Sequence, residues 1–155
     1  MIWIGIDPGA KGGFAEIIQD PQGQYVNVFA WDEAAFVKEM RDIGLRLKNP
    51  EGCVIAAVEK VGAMPHQGVV STFSFGTNYG FILGVLRGLN IPFQTVPPRE
   101  WKKMFGLNSD KARSIEVCRR LYPDVDLKRT DRCRVDSDGK AESILIGTYA
   151  MRKWG

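Results

Sequence analysis

The sequence predicts an α/β protein in which helices flank a five-stranded mixed sheet. Apolar or alternating segments of strand length open the chain at residues 1–7, 14–18 and 25–31, and short turns rich in Gly or Pro separate them. This pattern is typical of three antiparallel strands. Two further strand-length segments, residues 54–59 and 91–96, alternate with helical segments, which favours parallel strands.

Two of the predicted strands end on a single carboxylate. The first is a continuous apolar run, as expected at the buried centre of a sheet, and it ends at Asp7 before Pro8 and Gly9. Residues 54–59 repeat the pattern and end at Glu59. In parallel neighbours the two acids would lie about 5 Å apart, where they repel one another unless a cation lies between them. Two unrelated acids that begin turns are the alternative.

A second pair of acids stands at the start of the last predicted helix. Asp138 and Glu142 are four residues apart, so both can face the sheet. Each also has a purely structural interpretation, Asp138 as an N-cap and Glu142 as a first-turn acid favoured by the helix dipole. Four carboxylates without a His or Cys pair form a ligand set for Mg²⁺ or Mn²⁺. Two such ions would activate water and stabilise the leaving oxygen of a phosphodiester.

Four further helices are predicted between these features. They cover residues 32–48, 69–89, 99–105 and 110–121. The second carries a glycine every four residues, at Gly76, Gly80, Gly84 and Gly88. Because glycine disfavours a helix by about 1 kcal/mol relative to alanine, such a stripe indicates close backbone approach. The approaching helix belongs either to the same subunit or to an identical subunit related by a two-fold axis.

The positive charge of the chain is concentrated in its second part. Residues 1–96 hold seven Lys or Arg and nine Asp or Glu, a net charge of −2, whereas residues 97–155 hold 14 and nine, a net charge of +5. This distribution favours a polyanionic partner. The candidate phosphate contacts are Lys11, Lys102, Lys103, Lys111, Arg113, Arg129, Arg132 and Arg134.

The length, the hydrophobic fraction and the cysteines indicate what class of protein this is. With 155 residues, 45% of them hydrophobic, the chain is expected to form one domain, residues 1–155, with its own core. Three separated cysteines argue against disulfides or zinc, and Cys53 and Cys118 are expected to serve packing. No apolar stretch is expected to be long enough to span a bilayer, and no signal peptide is evident, so cytoplasmic residence is expected.

The ordered motifs resemble those of the RuvC family of Holliday junction resolvases, within the ribonuclease H-like superfamily. The resemblance rests on Gly5-Ile6-Asp7-Pro8-Gly9, on Val58-Glu59, on residues 110–114 (DKARS) and on residues 138–142 (DGKAE), and it spans nearly the whole chain. It implies a ribonuclease H-like fold and a homodimer, joined through the long glycine-bearing helix. It also implies an endonuclease that cuts four-way junctions by paired symmetric nicks, and the compact chain suggests a phage-type member in a bacterial host cytoplasm.

The resemblance also assigns residues. It implies that Asp7, Glu59, Asp138 and Glu142 bind two Mg²⁺ ions, with Mn²⁺ as a substitute, and that Lys111 lies near the scissile phosphate. The chain departs from the family where Glu142 replaces the Asp of many members and stands four rather than three residues after Asp138. Residues 61–67 lack the aromatic that some members insert into the junction, for which Met64 or His66 would substitute.

Other functions remain open at this point. A broader nuclease for flaps or forks would need the same acids. Actin-like ATPases also begin with a Gly-Ile-Asp strand followed by a Gly-rich phosphate turn, but they need two such lobes. A DNA-binding module with an inactive site is a third alternative. No nucleotide cofactor and no membrane partner are expected.

Overall fold

The computed structural model describes residues 1–46, 53–62, 68–107 and 111–155. The strands are β1 (Ile2–Asp7), β2 (Gly13–Asp20), β3 (Gly23–Ala30), β4 (Val54–Glu59) and β5 (Phe93–Val96). The helices are α1 (Glu33–Arg46), α2 (Val69–Gly88), α3 (Pro98–Met104), α4 (Lys111–Leu121) and α5 (Asp138–Trp154). These bounds differ from the predicted ones by a few residues at element ends.

The five strands form one mixed sheet in the order β3-β2-β1-β4-β5. β1 pairs with β2, and β2 with β3, in antiparallel fashion, whereas β1–β4 and β4–β5 are parallel. The predicted fold class is therefore confirmed. The apolar run of β1 is buried at the centre because it has a paired neighbour on each side and helices on each face.

Two hydrophobic cores lie on opposite faces of the sheet. Alternate residues of β1 divide between them: Trp3 joins the core under α3, α4 and α5, while Ile4 and Ile6 join the core under α1 and α2. This alternation follows from the two-residue period of a strand. The sheet is thus the middle layer of three.

The two cysteines that were expected to serve packing differ in their surroundings. Cys118 is buried as predicted, but Cys53 is exposed because it precedes β4.

Glycines let α5 lie directly on β1. A Cβ at Gly5 would collide with the backbone at Ser143 and Gly147, and a Cβ at Gly139 would collide with the carbonyl oxygen of Lys11. α5 packs along β1. Because these glycines have no side chains, α5 can lie close to the sheet. This close approach also determines the position of the acids in its first turns.

The glycine stripe of α2 faces solvent. Gly76, Gly80, Gly84 and Gly88 are all exposed, and a Cβ built on any of them meets no atom within 4 Å. The alternative in which the stripe packs on a neighbouring helix of the same subunit is therefore wrong for the part of the chain that the structure describes. Ile82 and Leu86, on the other side of α2, are fully buried.

α2 also corrects an expectation about membranes. By length and composition alone this helix is long and apolar enough to cross a bilayer, because its 20 residues include only one charge, Arg87. The prediction that no apolar stretch reaches that length is wrong. In this fold α2 is tied to the sheet by its buried side and by Asn78, whose Nδ2 donates to the carbonyl oxygen of Pro8 at 2.7 Å.

Several predicted features fall on residues outside the described ranges. They are the end of the first helix through Lys48, the turn at residues 49–52, the loop residues Met64 and His66, and the Asn108-Ser109 cap with Asp110.

Candidate active site

Asp7 and Glu59 lie side by side at the carboxyl ends of the two central strands. Ile6 is in register with Val58 in the parallel β1–β4 pair, so the next residue of each strand stands at the same edge of the sheet. Asp7 is further fixed by the turn that follows it, because its Oδ1 accepts a hydrogen bond from the Gly9 backbone N–H at 3.1 Å. The strand pairing predicted from sequence therefore produces the expected juxtaposition of two acids.

The start of α5 brings two more carboxylates to this edge. Ser137 is the N-cap, and its Oγ accepts from the Lys140 backbone N–H at 3.4 Å. Asp138 is therefore the first residue of the helix and not its cap, which overturns the structural interpretation of that acid. Glu142 follows one turn later and is largely buried. Gly139 packs closely on the β1–β2 turn, and both acids are near enough to Asp7 for their charges to raise its pKa.

The charges of the other three acids act on the pKa of Asp7. Burial, more than any other influence, raises the pKa of Asp7 to about 7, against a partial lowering by the Gly9 N–H. The neighbouring charges of Glu59, Glu142 and Asp138 raise this pKa further. Burial also raises the pKa of Glu59, and Glu142 adds to the effect. A carboxyl that is buried among like charges is stabilised in its ionised form by a cation.

The donor chemistry of this site fits a hard divalent cation, although the side chains do not form a finished cage. All four groups are carboxylates, the ligands that Mg²⁺ prefers. Among the residues that the structure describes, no group of three or more His, Cys, Asp or Glu stands close enough to hold a metal ion as arranged. Some side-chain movement would therefore accompany cation binding.

Residues from α3 and α4 hold two of the acids. The Trp101 indole Nε1 donates to Oε2 of Glu59 at 2.7 Å. The Ser114 hydroxyl donates to Oε1 of Glu142 at 3.1 Å, and Lys102 Nζ lies 3.8 Å from the same oxygen. Neither Trp101 nor Ser114 was predicted as a site residue. Ser114 stands in the motif at residues 110–114 (DKARS), but the sequence does not reveal that either residue contacts an acid, because these contacts form only when α3 and α4 fold over the end of the sheet.

The predicted phosphate contacts are distributed around this edge. Lys11, Arg129 and Arg134 line a pocket that also contains Asp138, and Arg129 Nη2 donates to the carbonyl oxygen of Ala10 at 3.3 Å. The others that the structure describes as exposed are Lys103, Arg113 and Arg132. Lys111 begins α4, but its side chain lies outside the described part of the chain.

Lys102 lies beside one of the four acids. Its ammonium group lies 3.8 Å from Oε1 of Glu142 and over the ring of Trp101, 5.2 Å from the ring centroid. Lys102 thus contributes positive charge at the acid cluster itself. Its role as a phosphate contact stays a prediction.

Arg119 was also missed by the sequence analysis. Its guanidinium forms a bidentate ion pair with Asp136, with N–O distances of 2.8 to 3.0 Å, and donates to the carbonyl oxygen of Val125. This contact fixes the segment between α4 and α5. Asp136 is therefore held in an ion pair with Arg119, although it lines the same pocket as Asp138.

Comparison with known proteins identifies the fold. No protein-family model and no curated protein sequence matches this chain. Among solved structures, Thermus thermophilus RuvC matches with a TM-score of 0.60 and 15% identity, over 98% of this chain and 96% of the other. The same protein in complex with a Holliday junction substrate matches with a TM-score of 0.61 and 14% identity, over 99% and 97%.

Two resolvases from other sources also match. The fowlpox virus resolvase, in a complex with substrate Holliday junction DNA, has a TM-score of 0.55 and 22% identity over 99% of both chains. The yeast mitochondrial Holliday junction resolvase Ydc2 has a TM-score of 0.55 and 14% identity over 96% of this chain and 77% of the other. The chain therefore has the ribonuclease H-like fold of the RuvC-type Holliday junction resolvases.

Proposed function

We propose that this chain is a divalent-cation-dependent endonuclease that cuts branched DNA, with four-way junctions as its principal substrate. The observation that carries the proposal is the convergence of Asp7, Glu59, Asp138 and Glu142 from three separate elements on one edge of the sheet. Two structures of similar fold are complexes with Holliday junction DNA. The proposed unit is a single nuclease domain, residues 1–155, of the phage type.

The acids supply the proposed cation site. Asp7, Glu59, Asp138 and Glu142 would hold two Mg²⁺ ions, with Mn²⁺ as a substitute. When bound, such ions lower the pKa of water and neutralise charge on a phosphodiester. Asp7 would contribute a buried oxygen at the centre of the site and release its proton as a cation binds, because its pKa of about 7 falls once positive charge is present.

The cationic residues supply the proposed DNA contacts. Lys102 stands at the acid cluster, where its ammonium group would approach the phosphate that is cut. Lys111 is proposed to act on the same phosphate. Lys11, Arg129 and Arg134 border Asp138 and would hold the DNA backbone next to the cut. The wider set of proposed backbone contacts adds Lys103, Arg113 and Arg132.

A homodimer is proposed to set the geometry of cutting. The exposed glycine stripe of α2 is bordered by exposed apolar side chains, with Val69, Val70 and Phe73 each at least three-quarters exposed. A second copy of α2 would cover this surface and bring two acid clusters into a fixed relation. Two sites related by a two-fold axis would cut opposing strands of a junction symmetrically.

Cleavage of defined DNA substrates tests the proposal. A four-way junction, a linear duplex, a flap and a single strand are incubated with the protein and Mg²⁺, Mn²⁺ or EDTA. We expect selective cutting of the junction that needs the cation. Equal cutting of all four substrates would favour a broader branched-DNA or general nuclease, and no cutting of any would refute the nuclease proposal.

Asp7→Asn provides the matching variant. It keeps the oxygen that accepts from Gly9 but removes the charge. We expect at least about a 100-fold loss of cleavage, the usual cost of removing a group that stabilises charge in a transition state. Asp42→Asn, in an exposed ion pair of α1, is the control. Full cleavage by Asp7→Asn would contradict the proposed site.

A further inference from the structure

We propose that Trp101 and Ser114 are positioning residues that orient Glu59 and Glu142 for cation binding. Each is a neutral donor that is buried beneath the acid cluster and makes one hydrogen bond to one acid. This inference rests on the proposed function, because it assigns a role within the same site. It concerns two residues that were not predicted as site residues, although Ser114 is the last residue of the motif at residues 110–114 (DKARS).

Trp101 holds the acid of the central strand. Its side chain is fully buried in the core under α5, so the indole has no room to turn away. The indole N–H is a donor only, and it meets Oε2 of Glu59 at 2.7 Å. α3 is itself anchored to α5, because the Tyr149 hydroxyl donates to Glu100 at 3.2 Å. The direction of the Glu59 carboxylate is thus determined by a rigid neighbour.

Ser114 holds the acid of the last helix. It is 2% exposed, and its hydroxyl donates to Oε1 of Glu142 at 3.1 Å. Glu has one more rotatable bond than Asp, so an unrestrained Glu loses more conformational entropy when it binds a cation. The Ser114 contact removes part of that freedom in advance. It explains how a Glu four residues after Asp138 serves this site.

The neutrality of both donors matters. A Lys beside a carboxylate neutralises its charge and competes with a bound cation, as Lys102 does in part at Glu142. An indole N–H or a hydroxyl fixes the direction of a carboxylate but leaves its full negative charge for the cation. Metal ligands are commonly oriented in this way by partners behind them, and loss of such a partner lowers metal affinity or activity by about 10- to 100-fold.

The Trp101 bond is not a general consequence of burying an indole. Trp3 lies in the same core, 4% exposed, and its Nε1 has no hydrogen-bond partner in the part of the chain that the structure describes. This core therefore tolerates a buried indole N–H that bonds to nothing. Trp101 differs in being aimed at an acid of the site.

Two matched pairs of variants test the inference. Val and Thr side chains have nearly the same shape, so Ser114→Val and Ser114→Thr differ mainly in whether a hydroxyl is present. Trp101→Phe and Trp3→Phe each delete an indole from the same core, but only the first removes a donor to an acid. Mn²⁺ binding to each folded variant is measured by electron paramagnetic resonance without DNA. The Mg²⁺ concentration for half-maximal junction cleavage and the melting temperature in EDTA are measured alongside.

We expect Ser114→Val and Trp101→Phe to weaken Mn²⁺ binding, and to raise the Mg²⁺ requirement, by about tenfold or more. Ser114→Thr and Trp3→Phe should bind Mn²⁺ as the unchanged protein does, whatever their melting temperatures. Equal Mn²⁺ binding within both pairs, in a protein that binds Mn²⁺ and cuts junctions, would overturn the inference and leave the proposed function intact. An unchanged protein that neither binds Mn²⁺ nor cuts would overturn both.

Discussion

At the scale of single residues, two buried carboxylates show how position determines role. Asp7 ends β1 among three other acids, where a cation would stabilise its charge. Glu16 lies in the middle of β2, 2% exposed, and only its Oε2 accepts a hydrogen bond, from Asn27 at 3.3 Å. Its Oε1 has no partner within the described residues. The burial of Glu16 raises its pKa, and the charges of Glu39 and Asp42 on α1 raise it further. The charge of Arg46 opposes this rise, but the burial of an ionised Glu16 is still a cost to stability.

Glu16→Gln is therefore expected to stabilise the protein at neutral and alkaline pH. Burial raises the pKa of Glu16 above its ordinary value of 4.5, with the Asn27 hydrogen bond opposing this in part. The folded protein thus holds the proton more tightly than the unfolded chain, and stability falls as pH rises above 4.5. Removing the buried charge should increase the free energy of unfolding by about 1–3 kcal/mol at pH 8.

Urea unfolding at pH 5 and pH 8 measures this effect. The stabilisation by Glu16→Gln should be larger at pH 8 than at pH 5. Glu116→Gln, on the exposed surface of α4, is the control and should change little at either pH. A Glu16→Gln variant that is less stable at pH 8 would show that the carboxylate is favourably solvated in the folded protein.

Some residues of the candidate site could be predicted from the sequence and others could not. Asp7 and Glu59 were placed because apolar runs that end on a carboxylate have a local pattern, and the parallel pairing of β1 and β4 brings their ends together. Trp101 and Ser114 have no such pattern, because a tryptophan or serine near the end of the sheet has the same neighbours in sequence whether or not it touches an acid. The contact between Lys102 and Glu142 could not be predicted for the same reason.

At the scale of elements, two sets of glycines have opposite surroundings. Gly5, Gly139 and Gly147 allow α5 to lie against β1 and the β1–β2 turn, and a side chain at Gly5 or Gly139 would collide with backbone. A Cβ on the glycines of the α2 stripe would meet no atom within 4 Å among the residues that the structure describes. The sequence analysis noted only the second set, because a regular spacing is visible in sequence and a single close approach is not.

Alanine substitutions in the α2 stripe should therefore stabilise the folded subunit but weaken the proposed dimer. In Gly80→Ala/Gly84→Ala, each added methyl group meets open space within the subunit, and each change favours the helix by about 1 kcal/mol. Across a close helix pair the same methyl groups would overpack the contact at a cost of about 1–3 kcal/mol. The dissociation constant of the dimer should rise roughly tenfold or more, while thermal stability of the diluted protein increases.

Sedimentation equilibrium and thermal melting measure the two effects. Gly44→Ala is the control, since its Cβ would make an ordinary 3.8 Å contact with Leu89 in the same subunit. That variant should gain stability without a change in association. A double variant that dimerises as tightly as the unchanged protein, or an unchanged protein that is monomeric, would contradict the proposed α2 contact.

At the scale of the whole molecule, the fold gathers opposite charges at one end of the sheet. The strand order places β1 and β4 at the centre, and α5 and α3 then bring acids and Lys102 to their carboxyl ends. The strand order and the helix sequence were predictable, because strand and helix periodicities and connection rules leave few arrangements. The crossing of α3 over the site was not, since it depends on the packing of Trp101 in a core formed by distant residues.

One measurement tests the central claim most directly, namely that this fold and its four acids form a dimeric junction-cutting nuclease. A supercoiled plasmid that extrudes a cruciform is incubated with the protein and Mg²⁺, and the products are separated as linear molecules and nicked circles. We expect linear molecules cut at the cruciform base, since two sites would act on opposing strands within one complex. Cutting that is independent of the cruciform, or nicked circles alone, would contradict it.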